Sequence, residues 1–200
     1  LYKKDGLKGG HIIILNAGGS EFFKESKKQA IEALSAYPKG MQIGGGVTAV
    51  NAQDYIKAGA SHVIVTSYVF KDGRVNYGNL KSLVEAVGKE RIVLDLSCRK
   101  KDGQYYIVTD RWQKFTDEVV NIETLKKLSE YCDEFLIHGV DVEGKSGGME
   151  EDLVAMLSEF TDIPITYAGG ISTMEQIEKF REISNGKMDF TIGSALDLFG

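Results

Sequence analysis

The 200-residue chain contains only two cysteines, two prolines and one tryptophan, and each scarcity removes a class of explanation. Cys98 and Cys132 lie far apart and in no metal-ligand spacing, which argues against a disulfide framework or a zinc site and fits a reduced setting. No apolar run reaches membrane-spanning length, and the opening Leu1-Tyr2-Lys3-Lys4-Asp5-Gly6 lacks the apolar core of a signal peptide. Pro-rich, Ser-rich and single-charge blocks are also missing, so nothing reads as a linker and residues 1–200 are expected to form one domain. With 29 acidic against 24 basic side chains the net charge is −5, which disfavours nucleic acid and anionic membranes. An anionic ligand must then be held by local geometry. The expected setting is a monomer in the cytoplasm. There is no initiator Met, and Leu198-Phe199-Gly200 stops where a helix would continue, so both ends read as cut.

What the chain does contain is a repeat. Gly44-Gly45-Gly46-Val47-Thr48, a helix-like stretch and His62-Val63-Ile64-Val65-Thr66-Ser67 recur as Ala168-Gly169-Gly170-Ile171-Ser172, a helix-like stretch and Met188-Asp189-Phe190-Thr191-Ile192-Gly193-Ser194. In each copy an apolar strand runs into glycines, Thr48 or Ser172 stands where a helix N-cap would be, and the next strand ends in a small hydroxyl residue. Such loops can aim backbone amides at a phosphate, and two of them imply a ligand with a phosphate at each end. One Gly-Gly pair would signify only a tight turn; recurrence with the same flanks is what carries the inference.

Short β-branched runs alternate with longer amphipathic stretches, the pattern of parallel βα units. Seven strands are predicted: 11–15, 41–43, 62–66, 91–95, 134–138, 163–167 and 189–192. Helices are predicted over 21–36, 49–58, 79–87, 122–131, 150–160 and 173–183. This alternation fits an α/β (βα)8 TIM barrel lacking its first βα unit and last helix, or a doubly wound open sheet. The repeat favours the barrel, because its two copies fall four strands apart and would face each other across the mouth. One insertion interrupts the rhythm. Residues 96–108 read as a hairpin around Asp102-Gly103, followed by Thr109-Asp110-Arg111-Trp112-Gln113.

Asp95 ends the apolar strand Ile92-Val93-Leu94, where a carboxylate without a partner or a task is costly. It is either a hydrogen-bonding anchor for loop amides or a general acid or base, and catalysis is favoured. The next strand leads into His138-Gly139-Val140-Asp141-Val142-Glu143-Gly144-Lys145. There Asp141 and Glu143 are suited to a ribose hydroxyl or a proton transfer, and equally to capping the following helix or pairing with Lys145. His138 is a ligand contact or a satisfied structural histidine; His11 and His62 begin strands and read as structural. Arg99 and Lys100 either add positive charge to the mouth or are solvated. Trp112 either packs or stacks on a planar heterocycle. No nucleophile triad, Walker loop or metal-binding helix is present, so catalysis would be acid–base.

Taken together, Gln42-Ile43-Gly44-Gly45-Gly46-Val47, Ile64-Val65-Thr66-Ser67, Val93 to Lys100, Arg111-Trp112-Gln113, Phe135 to His138 with Asp141-Val142-Glu143-Gly144, and Tyr167-Ala168-Gly169-Gly170 closely resemble one family. It is that of the eukaryotic-type phosphoribosylformimino-5-aminoimidazole carboxamide ribotide isomerases of histidine biosynthesis. The resemblance covers essentially the whole chain. It implies a (βα)8 barrel that converts an aminoaldose carrying two phosphates into an aminoketose, with no metal and no cofactor. It also implies that Asp95 is the acid acting on the ring oxygen and that Trp112 stacks on substrate; the family's sixth-strand hydroxyl falls near Gly139 and does not transfer, so Asp141 or Glu143 is an ambiguous substitute, while Arg99 and His138 are substrate-binding candidates from their positions alone. Phosphate contacts would fall to Gly45, Gly46, Thr66, Ser67, Gly169, Gly170, Gly193 and Ser194. The family's partner carboxylate would precede Leu1, so this chain by itself is expected to be inactive or badly impaired. The rival readings are the homologous cyclase, which takes ammonia from a glutaminase, and a non-catalytic bisphosphate-binding fragment.

Overall fold

The computed structural model describes residues 2–142 and 148–193. In chain order the elements are α1 (Tyr2–Asp5), β1 (Gly10–Ile13), α2 (Phe23–Ala36), β2 (Met41–Gly44), α3 (Ala52–Ala58), β3 (Val63–Val65), β4 (Phe70–Lys71), β5 (Arg74–Val75), α4 (Tyr77–Val87), β6 (Ile92–Asp95), β7 (Cys98–Lys101), β8 (Gln104–Thr109), β9 (Lys114–Val119), α5 (Ile122–Leu128), β10 (Glu134–His138), α6 (Glu151–Leu157), β11 (Ile165–Ala168), α7 (Met174–Ile183) and β12 (Asp189–Thr191). All seven strands read from the sequence as βα strands are present, paired in parallel from β1 to β6 in one group and from β10 to β12 in another, in the alternation of the (βα)8 barrel class. The chain divides into two compact units.

The first unit comprises Leu1–Lys71, Asn76–Leu94 and Tyr131–Asp133. Its strand order is β1-β2-β3-β6, with Gly10 opposite Met41, Ile43 opposite Val63 and Val65 opposite Leu94. All four residues of β2 and Ile92, Val93 and Leu94 of β6 are buried, because strands covered by helices leave neither face to water. Ala30 and Leu34 of α2 and Leu80 and Leu83 of α4 supply the matching helical stripes. At the amino-terminal end of β3, the His62 ring lies 3.2 Å from an Asp133 carboxylate oxygen and from the Ser61 hydroxyl, the structural role expected of it.

The second unit comprises Asp72–Val75, Asp95–Glu130 and Glu134–Gly200. Phe135 lies opposite Ile165 and His138 opposite Ala168, and Ala168 in turn lies opposite Thr191, so the carboxyl ends of β10, β11 and β12 are level. Just beyond β6, the Leu96 amide donates to the Leu136 carbonyl of β10. Leu153, Val154 and Leu157 of α6 are buried at helical spacing, each contributing about 2 kcal/mol of burial. The rings of Tyr167, Phe180 and Phe190 pack in series at 5.9 and 5.4 Å between centroids.

The insertion is larger than the predicted hairpin. Asp102 and Gly103 do form its first turn with positive φ at both residues, 51° and 79°, as the Asp-Gly pair predicts. A third strand, β9, then pairs with β8 to complete an antiparallel sheet ordered β7-β8-β9. Lys114-Phe115-Thr116-Asp117-Glu118-Val119 alternates weakly and carries three charges, which is why periodicity alone passes over it. The Asp117 amide donates to the Gly73 carbonyl, and Arg74 pairs with Asp117, so β5 borders this sheet.

Helix starts also shift. Thr48 and Ser172 are not N-caps. The Thr48 carbonyl instead accepts from the Asn51 and Ala52 amides, so α3 begins three residues later than predicted, with Asn51 at its N-cap position. Thr173 caps α7 in a capping box with Gln176. Replacing Thr173 by Ala removes that reciprocal cap and is expected to cost about 1 kcal/mol, read as a lower urea midpoint with an unchanged slope.

Candidate active site

The two glycine loops keep their likeness in three dimensions. Gly45 and Gly46 have φ of 100° and 67°, and Gly169 and Gly170 have 119° and 76°. In each copy the first glycine backs onto the carbonyl just past a neighbouring strand. A Cβ at Gly45 would lie 2.1 Å from the Ile14 oxygen, and one at Gly169 would lie 2.6 Å from the Gly139 oxygen. Both positions therefore demand glycine for space as well as for conformation. The next hydroxyl residues are held by side chains further along. The Thr48 amide donates to Asn51 Oδ1 at 2.8 Å, and the Ser172 amide donates to Gln176 Oε1 at 2.7 Å. These two amides are occupied inside the loops, which concentrates any anion contact on the glycines. In the first unit Thr66 follows β3 and exposed Ser67 opens a 3-10 turn, Ser67–Val69. In the second, Gly193 is exposed; Ser194 lies outside the described residues.

The second unit also gathers most of the residues with chemistry. Asp95, half-buried at the end of β6, accepts a 2.8 Å hydrogen bond from the Ser97 hydroxyl, so one carboxyl oxygen is oriented by the turn that leaves the strand. Asp141 follows β10 and accepts from Arg99 Nε at 2.8 Å and from the Lys100 amide at 2.9 Å. Arg99 is thus not simply solvated; it is engaged by Asp141. Glu143 and Lys145 lie outside the described residues.

Trp112 sits in the turn between β8 and β9, 40% exposed, and its ring meets that of His138 edge-to-face at 5.0 Å and 85°. Asp110, Arg111 and Trp112 all have left-handed backbone, with φ of 52°, 56° and 68°. Three such residues in succession without glycine are unusual and cost conformational energy, which the surrounding sheet must offset.

Sequence reading missed Glu150, which it placed only at a helix start. Tyr105 Oη donates to Glu150 Oε2 at 2.9 Å, and the Glu150 amide donates to Tyr167 Oη at 3.0 Å. The Tyr105 phenol is pushed well above its usual range, first by burial and then by this bond to Glu150. Cys98, also buried, has its thiol pushed up by burial and further by the negative charges of Asp95, Glu150 and Asp141. It is therefore no nucleophile. Expected in native protein is no labelling of Cys98 by a thiol reagent at pH 8, with reaction appearing on denaturation. Tyrosines in an alternating strand were the available signal for Glu150, but its partner lies 45 residues away. Among the described residues no group of three or more His, Cys, Asp or Glu side chains is placed to hold a metal ion.

Comparison with known proteins gives these residues a context. The chain is 56% identical over its full length to a chloroplastic 1-(5-phosphoribosyl)-5-((5-phosphoribosylamino)methylideneamino) imidazole-4-carboxamide isomerase of Medicago truncatula, of which it spans 62%. It is 44% and 42% identical over its full length to the isomerases of that name from Neurospora crassa and Saccharomyces cerevisiae, spanning 76% of each. The model of the family described as histidine biosynthesis protein matches residues 1–199. With that match running across both glycine loops and the Asp95 strand, the chain belongs to the histidine biosynthesis protein family.

Proposed function

We propose that this chain forms the main part of an aldose–ketose isomerase whose substrate is a bisphosphorylated aminoaldose of the kind named in its relatives, acting by general acid–base catalysis. The observation that carries the reading is the oriented carboxyl of Asp95 at the exit of β6, in a chain with two matching glycine loops. Each loop would hold one phosphate, through Gly45, Gly46, Thr66 and Ser67 in one case and Gly169, Gly170 and Gly193 in the other. In the reaction Asp95 protonates the ring oxygen as the C1–O bond breaks, leaving a C1=N iminium. A base then removes the C2 proton, and the C–H electrons form an enolamine that neutralises the nitrogen. Loss of the O2 proton and protonation at C1 give the ketone. The edge of Trp112, carried at the 8–9 turn, offers apolar surface to the imidazole of the substrate.

The test is incubation of the protein, at the full length of its relatives, with the aminoaldose. Appearance of the ketose, followed by proton NMR as loss of the anomeric signal, supports the isomerase. Ammonia-dependent consumption of the ketose instead would assign the cyclase reaction. Binding of the bisphosphate with neither conversion would leave a binding role only.

A further inference from the structure

We propose that Asp141 is a positioning residue that pins the antiparallel β7-β8-β9 sheet to the turn after β10 and thereby sets Trp112 against His138. Asp141 engages two successive residues of β7 through different kinds of donor, the Arg99 side chain and the Lys100 main chain. A carboxylate that binds both a guanidinium and a backbone amide fixes the strand's height and its direction together. Two further contacts run the same way. Lys100 Nζ pairs with Asp152 of α6 at 2.8 Å, and Tyr105 of β8 donates to Glu150. The sheet thus meets three acidic residues of one chain segment, Asp141, Glu150 and Asp152.

These three contacts are not equivalent. The Lys100–Asp152 pair is solvent-exposed and contributes little by itself, and the Asp110–Lys114 pair beside Trp112 is local to its own turn. The Asp141 contact is the more buried of the ion pairs on β7, and it lies three residues beyond His138, the ring that Trp112 touches. Its neighbour Arg99 also stacks over Phe115 of β9 at 5.8 Å, so the guanidinium links the carboxylate to the far strand of the same sheet. Cys98 of β7 also bridges Gly139 in parallel, so loss of the carboxylate should let the sheet pivot about that bridge and lift the indole from the imidazole.

Trp112 is the only tryptophan, so its emission reads this contact directly. His138→Ala sets the signal of a released indole. Asp141→Asn should reproduce it, with red-shifted emission and acrylamide quenching roughly twofold stronger, as expected when a 40% exposed ring becomes fully accessible. Arg99→Gln should shift the signal in the same direction, and it decides the matter alone if circular dichroism shows that Asp141→Asn does not fold. Wild-type emission and quenching in the folded variants, with His138→Ala shifted, would overturn the proposal. So would an unshifted His138→Ala. This spectroscopic signature does not depend on the isomerase reading; only its consequence for turnover does, so the two stand or fall separately.

Discussion

Asp95→Asn is expected to lower isomerisation by about 10²–10⁴-fold, the range a positioned proton donor contributes, while leaving bisphosphate affinity within a fewfold of wild type. Asparagine has nearly the same shape and keeps an oxygen to accept the Ser97 hydroxyl, which now bonds Asp95 Oδ1. What it lacks is a transferable proton at the ring oxygen. Because the carboxyl ends a strand whose Ile92, Val93 and Leu94 are buried, the substitution alters no packing inside the core. A titration of the bisphosphate beside a single-turnover rate separates the two effects. Wild-type turnover in Asp95→Asn would remove the acid role; loss of binding and turnover together would make Asp95 a binding group.

Gly45→Ala is expected to destabilise the protein by about 3 kcal/mol, and Gly46→Ala by about 1 kcal/mol, although the residues are adjacent and both have positive φ. The difference is space. A Cβ at Gly45 would stand 2.1 Å from the Ile14 oxygen and 2.7 Å from its nitrogen, and backbone held by the Ile14 amide bond to the Gly44 carbonyl cannot swing aside as a side chain can. At Gly46 nothing lies within 4 Å, so only the backbone preference of an L-residue is opposed. Urea unfolding of the two variants measures the gap. Equal losses would mean that the loop relaxes around the methyl group. Gly46→Ala also leaves a folded protein in which a methyl group has been placed at the proposed phosphate contact, so its bisphosphate affinity tests that role separately from folding.

The sequence by itself determined the order of the seven βα strands and the helices between them, the strand-end position of Asp95, the Asp102-Gly103 turn and the two glycine loops. Each is a local property. Continuous runs such as Ile92-Val93-Leu94 announce a strand buried on both faces, and a Gly-Gly pair after such a run announces backbone that other residues resist. Helix starts were less legible, because the loop around Thr48 is closed by Asn51 and not by the residue that looks like a cap. The strand β9 was missed because its charges and weak alternation suit a solvent-facing sheet in an insertion. Only the tertiary structure decided that Asp141 takes Arg99, that Glu150 takes Tyr105 and that Trp112 rests on His138. The physical reason is that periodicity specifies which face of an element a side chain occupies, whereas these partners stand 42 and 45 residues apart in the hydrogen-bonded cases and meet only when separate elements pack.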